Sequence, residues 1–568
     1  MSSPNINIPP NKMNPSNPPP RNLPSEPIRR RAFLAMGAAA FALPTLASAR
    51  SQGNGPAPRH PLFHPLSRTL VRRRADALGV RHSAALAQAR TPLPKLPVNG
   101  DESLPGYIGS FSKCLPHDAL GVVDANAFRA LVKAMDTGHP ADLAAIPRGG
   151  TAKLANPQAA FAFSLHGGDS HSFDMPAPPA FSSAWEAGEM VEVYLHALLR
   201  DLPFEEYPSS PLAATASVRL NALSDFRGPR NAGLVTPGTL FRGETAGDLV
   251  GNFVSQFLLM PVPFGASSLH RQIRTTQQGD DHMTTVAACL AVQNGTAPLT
   301  ANQYDPTPRL IGTARDLGEY VHKDFSYQAF LETALILLGT GAPVNPGNPY
   351  TGSANQGAFI TFGGPDILTL VAEAANEALK AAWFHKWRLH RRLRPEEFAT
   401  RVHTHKTGAA TYPIHPDVLD SPVLAELYAL HGTYLLPMAF AEGCPTHPAY
   451  PAGHAAIAGA CVTVLKAHFN GNHTLAAPVE IDPASDATAL RPYSGGAPLT
   501  VGGELDKLAS NISIGRDLAG VHWRTDGTEG MLLGEKVAIA LLRDRRKTYH
   551  EPLGPLSFRG FKGNTITL

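Results

Sequence analysis

A short basic segment holds the first side chains that could bind an anion. Residues 383–395 read WFHKWRLHRRLRP and include Lys386 and Arg394. Pro395 disfavours the α conformation at the residue before it, so the helix should end near Arg394. On an unbroken helix the two side chains would stand about 80° apart, and both can face one anion if Arg394 turns out of the last turn. Taken alone, the segment is more typical of a solvated basic surface.

A second segment could supply a helix N-terminus to the same anion. Residues 444–455 read CPTHPAYPAGHA, in which three prolines favour an extended loop and an alanine-rich helix begins at His454. Free N–H groups at a helix N-terminus attract anions, and Gly453 allows a ligand to approach the backbone closely. His454 then lies in the first turn, beside the ligand. His447 and His454 could alternatively bind zinc, although no acidic or cysteine partners accompany them at metal spacing.

A third segment contains a histidine that could become a ligand. Residues 511–526 read NISIGRDLAGVHWRTD, where Arg516 ends one helical run and a glycine breaks it. His522 should therefore lie in the connection before a helix capped by Thr525 or Asp526. Asp526 is in position to hydrogen-bond to the imidazole and orient it. Alone, a loop histidine is more often a surface residue.

Together the three segments predict a binding site for a tetrahedral oxyanion. They supply one lysine, two arginines, one helix N-terminus and two histidines. Each charge-assisted hydrogen bond to a buried anion contributes roughly 1.5–3 kcal/mol, so three cations and a backbone amide suffice for tight binding.

The elements that carry these segments are predicted to form an all-α fold. Apolar residues recur near a 3.6-residue period, which predicts helices at residues 184–202, 249–259, 327–338, 366–393, 423–430, 454–469 and 525–542. Strand signals are sparse. Residues 50–110 are rich in Pro, Arg and His and are expected to be loosely structured. The clearer helices of the C-terminal half indicate a helical bundle there.

The N-terminal 49 residues are predicted to be an export signal. Residues 1–28 are rich in Asn, Pro and Ser and are expected to be disordered. Residues 29–34 (RRRAFL) precede a short apolar run and an Ala-Ser-Ala sequence, a pattern that resembles a twin-arginine signal peptide. The run is shorter than the roughly 20 residues that span a bilayer, and no later segment is predicted to be a stable membrane span. We therefore expect a periplasmic or secreted protein.

Charge and cysteine usage exclude some functions. The net charge of +3 over 568 residues leaves no broad basic field for nucleic acid. The four cysteines show no CxxC spacing, which disfavours a zinc site or a redox pair. Cys461 lies in an apolar helical run and is predicted to be a buried thiol, while disulfide connectivity stays open.

The three motifs have a family resemblance. Lys-x7-Arg-Pro, Pro-x-Gly-His and Arg-x5-His-x3-Asp resemble the signature shared by vanadium haloperoxidases and type 2 phosphatidic acid phosphatases. Longer stretches, such as HKWRLHRRLRPE, PTHPAYPAGHA and NISIGRDLAGVHWRTDG, look like the bromoperoxidases of red algae and cyanobacteria. The resemblance covers most of residues 300–545.

This resemblance implies a fold, a cofactor and a role for each motif residue. Residues 50–568 would form a haloperoxidase catalytic region, with a vanadate-binding helical bundle at about 320–545. The cofactor would be vanadate, bound axially by His522, with its equatorial oxygens held by Lys386, Arg394, Arg516 and the Gly453 amide. His454 would be the acid–base group, and His447 matches a second histidine of bromoperoxidases. The partners would be hydrogen peroxide, a halide (bromide favoured), a small organic acceptor and further copies of the chain.

Two departures and two alternatives accompany the resemblance. Relatives usually have serine where this chain has Ala452, and Trp383 looks like a tryptophan of fungal chloroperoxidases, so halide preference stays open. An exported acid phosphatase could use His522 as a nucleophile. Phosphatases usually place six residues between the lysine and the arginine of the first motif, whereas this chain has seven. A non-enzymatic oxyanion-binding protein would not need His454.

Overall fold

A computed structural model describes residues 66–568, so the predicted signal at residues 1–49 lies outside the described residues. The α-helices are α1 (Leu66–Arg90), α2 (Ala125–Thr137), α3 (Pro140–Ala144), α4 (Ala184–Leu198), α5 (Pro211–Asn221), α6 (Gln256–Leu259), α7 (Val286–Gln293), α8 (Ala314–Lys323), α9 (Gln328–Gly339), α10 (Gly364–Phe384), α11 (Pro395–Lys406), α12 (Pro416–Leu419), α13 (Pro422–His431), α14 (Gly453–His468), α15 (Val501–Leu518) and α16 (Arg524–Arg546). A π-helix, His385–His390, continues α10.

The strands are short and form three separate antiparallel hairpins. They are β1 (Val262–Phe264) with β2 (Ser267–Leu269), β3 (Val479–Ile481) with β4 (Leu490–Pro492), and β5 (Ser557–Arg559) with β6 (Thr565–Thr567). Short 3-10 helices occupy Asp101–Ser103, Pro105–Tyr107, Pro157–Phe161, Ser170–Ser172, Phe204–Ser209 and Pro483–Ser485. The all-α fold predicted from the sequence is confirmed.

Helices α14 and α16 form the centre of the core, and small residues let their backbones approach closely. A Cβ at Gly459 of α14 would lie 2.0 Å from the carbonyl oxygen of Met531, and one at Gly534 of α16 would lie 2.0 Å from that of Ala456. Neither position accepts a larger residue without moving a helix. The close packing brings the first residues of α14 beside those of α16. The Ala452 N–H donates to the Asp526 carbonyl at 2.9 Å.

The basic segment leaves the helix earlier than its sequence suggested. The π-helix ends at His390, and Arg391 adopts a left-handed conformation with φ 37° and ψ 39°. Arg394 is extended, and Pro395 occupies the first turn of α11, where its missing N–H costs nothing. The predicted end near Arg394 is therefore four residues late. The Arg394 side chain nevertheless points toward Lys386, as the predicted anion site requires.

Three other local predictions are wrong. Residues 66–90, expected to be loosely structured, form the long helix α1. The helix predicted at 249–259 is reduced to α6: Gly251 is left-handed with a φ of 70°, and the helix begins only after the extended Ser255, whose side chain caps it. Helix α16 is capped by Trp523 instead of Thr525 or Asp526, and Asp526 is the third residue of the first turn, where its carboxylate accepts the Trp523 N–H at 3.2 Å.

The cysteines and the helices bear on two further predictions. All four cysteines are buried free thiols, including Cys461, as predicted. Within residues 66–568, no helix combines the length and the apolar character that crossing a membrane requires.

Candidate functional site

Lys386 and Arg394 meet at one loop. The Lys386 ammonium, fully buried on the π-helix, donates to the carbonyl oxygens of Pro448 and Ala449 at 2.7 Å each. The Arg394 guanidinium donates to the carbonyl of His447 at 2.9 Å and approaches that of Pro448 at 3.4 Å. Both cations therefore bind the carbonyl groups of the extended loop before α14.

His522 lies between Arg394 and Asp526. Its Nδ1 is 2.7 Å from Asp526 Oδ2, and its Nε2 is 2.9 Å from an Arg394 guanidinium nitrogen. The Nδ1–H donates a hydrogen bond to the carboxylate, which leaves the lone pair of the ring on Nε2. Burial, reinforced by the charges of Arg394 and Lys386, lowers the pKa of His522 well below its ordinary value. A neutral imidazole with its lone pair on Nε2 is the form that binds a metal, and in this structure that lone pair accepts from the Arg394 guanidinium.

The N-terminus of α14 faces this cluster with free donors. Among the described residues, no acceptor pairs with the N–H groups of Gly453, His454 and Ala455, whereas the Ala456 N–H donates to the Ala452 carbonyl. Ala452 stands at the N-cap and has no side-chain oxygen to accept any of them. Three aligned N–H groups and the helix dipole favour an anion at this end.

Arg516 completes the set of cations from α15. One guanidinium nitrogen donates to the Val321 carbonyl at 2.7 Å, and its Nε is buried without a partner. The guanidinium lies 5.6 Å from the centre of the Phe440 ring. Burial together with the charge of Arg394 lowers the pKa of Arg516 to about 10, although Asp324 opposes this.

His454 is oriented by an acidic residue that the sequence analysis did not single out. Its Nε2 is 3.0 Å from Asp324 Oδ1, just beyond the end of α8, and 24% of the His454 side chain is exposed. With Nε2 donating to the carboxylate, Nδ1 is left as a base that solvent or a substrate can reach.

His447 and Trp383 form the remaining wall. His447 is half-buried, and its Nδ1 is 3.0 Å from Arg394. Burial and the charge of Lys386 lower its pKa well below the ordinary value. The Trp383 ring lies 4.8 Å from the His447 ring, and its indole N–H donates to the Ala155 carbonyl at 3.1 Å.

The site carries an excess of positive charge. None of the ion pairs formed by the described residues includes Lys386, Arg394 or Arg516, whose hydrogen-bond partners are carbonyl groups and histidines. Burial, together with the neighbouring charge of Arg394, lowers the pKa of Lys386 well below its ordinary value. Buried charges are normally paired, so three uncompensated cations imply an anion among them. A tetrahedral oxyanion, with negative charge spread over its oxygens, fits this donor set.

The structure thus brings together all seven residues singled out in the sequence. It also adds Asp324 beside His454, and Arg392 behind Asp526 at 2.8 Å. Asp324 lies 130 residues from His454 along the chain, and Arg392 lies 134 from Asp526. No spacing in the sequence signals these contacts.

Known proteins resemble the chain over most of its length. A family model described as the VCPO second helical-bundle domain matches residues 366–551. The vanadium-dependent bromoperoxidase of Corallina pilulifera is 34% identical over 581 residues, covering 86% of this chain and 96% of that protein. That of Ascophyllum nodosum is 33% identical over 495 residues, covering 83% and 87% respectively. The homohexameric structure of a second vanadate-dependent bromoperoxidase from Ascophyllum nodosum superposes with a TM-score of 0.84 at 29% identity, covering 92% of this chain and 94% of that one.

Proposed function

This chain belongs to the vanadium-dependent haloperoxidases, and we propose that it oxidises bromide with hydrogen peroxide at a vanadate bound through His522. The product would be hypobromous acid or its equivalent, which halogenates a small organic acceptor. The observation that carries the proposal is the group of three buried cations without carboxylate partners, placed around a neutral histidine and a free helix N-terminus.

Five groups of the site would hold the cofactor. His522 Nε2 would be the nitrogen ligand, kept available by Asp526 on the other side of the ring. Lys386, Arg394, Arg516 and the Gly453 N–H would hold the oxygens. Vanadate bound there supplies a Lewis acid that activates hydrogen peroxide toward a halide without changing its own oxidation state. The negative charge of the oxyanion offsets the cost of burying Lys386 as an ammonium.

His454 would move the proton. Its Nε2 faces Asp324, so Nδ1 is the atom that accepts a proton from hydrogen peroxide and later returns it to the leaving oxygen. The carboxylate stabilises the imidazolium formed in between. The His454 side chain is 24% exposed, which suits contact with a soluble substrate, whereas that of His522 is 2% exposed.

The halide assignment depends on the wall formed by His447 and Trp383. Bromide use is supported by the names of the relatives and by His447, which lies against Arg394. Trp383 stands beside His447 and adds an apolar surface there. Chloride turnover beside bromide turnover would measure how far this tryptophan extends the halide range.

One experiment tests the function. The purified protein is loaded with vanadate and given hydrogen peroxide and bromide, and bromination of a phenolic dye is followed, with hydrolysis of a phosphate ester measured in parallel. We expect bromination only when vanadate is present. Strong ester hydrolysis without vanadate-dependent bromination would favour the phosphatase alternative.

The matched variants are His522→Ala and His550→Ala. His522→Ala should lose vanadate binding in equilibrium dialysis together with bromination. His550 is exposed and lies outside the site, so His550→Ala should keep both. Normal halogenation by His522→Ala would show that another residue is the ligand.

We further propose that the chain is exported through the twin-arginine route. Residues 29–34 (RRRAFL) and the apolar run after them support this. Changing Arg30 and Arg31 to lysine should retain an uncleaved precursor in the cytoplasm, measured by fractionation and N-terminal sequencing. Unchanged export of that variant would exclude the route.

We also propose that the chain forms a homo-oligomer. Its support is a homohexameric relative that aligns over 92% of this chain.

A further inference from the structure

A buried arginine stands directly behind the residue that orients His522. One guanidinium nitrogen of Arg392 donates to Asp526 Oδ1 at 2.8 Å, while Asp526 Oδ2 accepts from His522 Nδ1 at 2.7 Å. The same carboxylate is thus held by a cation on one oxygen and by the imidazole on the other. Arg392 and Asp526 are both inaccessible to solvent, with side-chain exposures of 0%.

The other guanidinium nitrogen of Arg392 binds carboxylates of α4. This nitrogen donates to Glu189 Oε2 at 2.8 Å and to Glu186. Glu189 also accepts the N–H of Thr525, the second residue of α16, at 2.8 Å through its other oxygen. Three carboxylates therefore surround one guanidinium. Although burial opposes the charge, Glu186, Asp526 and Glu189 hold the pKa of Arg392 above its ordinary value.

The Trp523 ring lies against this guanidinium. The guanidinium lies 4.9 Å from the centre of the ring, and the Trp523 indole N–H donates to the Leu393 carbonyl at 3.0 Å. A planar fork held by a ring face and by carboxylates on two sides has little freedom to rotate. Asp526 is then unable to turn away from His522 without breaking a buried ion pair.

We propose that Arg392 is a positioning residue for the cofactor ligand: anchored by Glu186 and Glu189, it fixes the Asp526 carboxylate so that His522 carries its proton on Nδ1 and presents Nε2 to vanadate. This inference rests on the proposed function. It adds a role for α4, more than 300 residues before His522 in the sequence, which reaches the Asp526 carboxylate through Arg392 and also contacts the neighbouring Thr525.

A second arginine offers a matched control. Arg524 begins α16, is also buried, and forms a two-point ion pair with Glu192 of α4 at 2.9 Å from its Nε. It therefore ties α4 to α16 as Arg392 does. Its side chain contacts neither Asp526 nor His522 in the described structure. Loss of Arg524 should destabilise the contact between α4 and α16, as loss of Arg392 does, but should leave the Asp526 carboxylate in place.

The experiment compares Arg392→Met, Arg392→Lys and Arg524→Met as full-length proteins. Vanadate affinity is measured by equilibrium dialysis. The tautomer of His522 is read from imidazole nitrogen chemical shifts in vanadate-free, 15N-histidine-labelled protein, with His522→Gln assigning the signal. Thermal unfolding shows how far each variant is destabilised.

We expect Arg392→Met to bind vanadate at least tenfold more weakly and to populate the Nε2-protonated tautomer. Arg524→Met should stay within about twofold of the wild type and keep the Nδ1-protonated form. Arg392→Lys, which keeps the charge and loses the fork, should fall between them, and it serves as the test if Arg392→Met does not fold.

Three results would overturn the proposal. In the first, Arg392→Met and Arg392→Lys both bind vanadate with the wild-type affinity. In the second, His522 keeps the wild-type tautomer in both variants. In the third, Arg524→Met loses as much vanadate affinity as Arg392→Met. If the wild-type chain itself failed to bind vanadate, the proposed function would fail. The tautomer measurement, made without vanadate, would still decide whether Arg392 orients His522.

Discussion

At the scale of single residues, Ala452 is the position where the site lacks a donor. It stands at the N-cap of α14, and no side-chain oxygen caps the helix or reaches toward the anion site. We predict that Ala452→Ser tightens vanadate binding about fivefold, because one added hydrogen bond contributes about 1 kcal/mol. The measurement is the dissociation constant of vanadate from equilibrium dialysis.

A glycine variant separates the two effects of that serine. Glycine caps a helix N-terminus nearly as well as serine but has no hydroxyl. Ala452→Gly should therefore leave vanadate affinity near the wild-type value. If the glycine and serine variants tightened binding equally, the gain would come from the helix end and the hydrogen bond to vanadate would be excluded.

The sequence predicted the charged residues that converge at the site better than the residues behind them. Lys386, Arg394, Arg516 and His522 carry unusual charge at recognisable spacing, so their convergence could be inferred. Asp324 and Arg392 have no such pattern, because their partners lie 130 and 134 residues away. Contacts of that kind are set by helix packing, which one sequence does not reveal.

At the scale of elements, the contact between α14 and α16 brings His522, just before α16, close to the N-terminus of α14. We predict that Gly459→Ala lowers the free energy of unfolding by about 3 kcal/mol, because its Cβ would lie 2.0 Å from the Met531 carbonyl oxygen and would push the helices apart. Urea denaturation followed by circular dichroism measures the change.

The control for this variant is another helical glycine. At Gly364, in the first turn of α10, a Cβ would find nothing nearer than 3.8 Å. Gly364→Ala should leave the stability within about 1 kcal/mol of the wild type. Equal stability of the two variants would mean that the helices can separate at little cost.

A histidine ties α8 to the loop before the site. His322 Nδ1 is 2.8 Å from Glu319, its Nε2 is 2.6 Å from Glu442, and its ring stacks on Phe440 at 3.8 Å. Burial opposes its protonation, but the hydrogen bonds to Glu319 and Glu442 raise the pKa of His322 above its ordinary value. The side chain of Glu442 is 54% exposed, so solvent weakens the pair.

We predict a specific pH dependence from this pair. A raised folded-state pKa contributes stability that is fully present below the unfolded value of about 6.5 and is lost as pH rises through the folded value. His322→Gln should therefore be less stable than the wild type at pH 6, and the difference should shrink at alkaline pH. Chemical denaturation at several pH values measures it. A difference that grows with pH would contradict the assignment.

Helix boundaries could be predicted where turn chemistry is local and failed where it is not. The pattern of α14 was placed within one residue at each end, because prolines precede it and the apolar run is long. Helix α1 was missed because prolines on both sides of residues 66–90 dominated the composition of the whole region, although the helix itself contains none.

At the scale of the whole molecule, α1 exposes several of its apolar side chains. Leu70, Val71 and Leu78 are 58%, 64% and 67% exposed. Val71 and Leu78 lie seven positions apart, about 20° around the helix axis, so they share one stripe. Burying a leucine stabilises an interface by roughly 1.5–3 kcal/mol, so packing of a second copy of the chain on this helix would be favourable.

We predict that the protein is a homo-oligomer and that α1 contributes to its interface. Light scattering after size-exclusion chromatography should give a mass of two or more chains, and Leu78→Glu should shift it toward the monomer because a buried carboxylate opposes association. Leu430 of α13 is 66% exposed and offers a matched control, since Leu430→Glu should leave the mass unchanged. A monomeric wild type would exclude the oligomer. An oligomer disrupted only by Leu430→Glu would place the interface on α13.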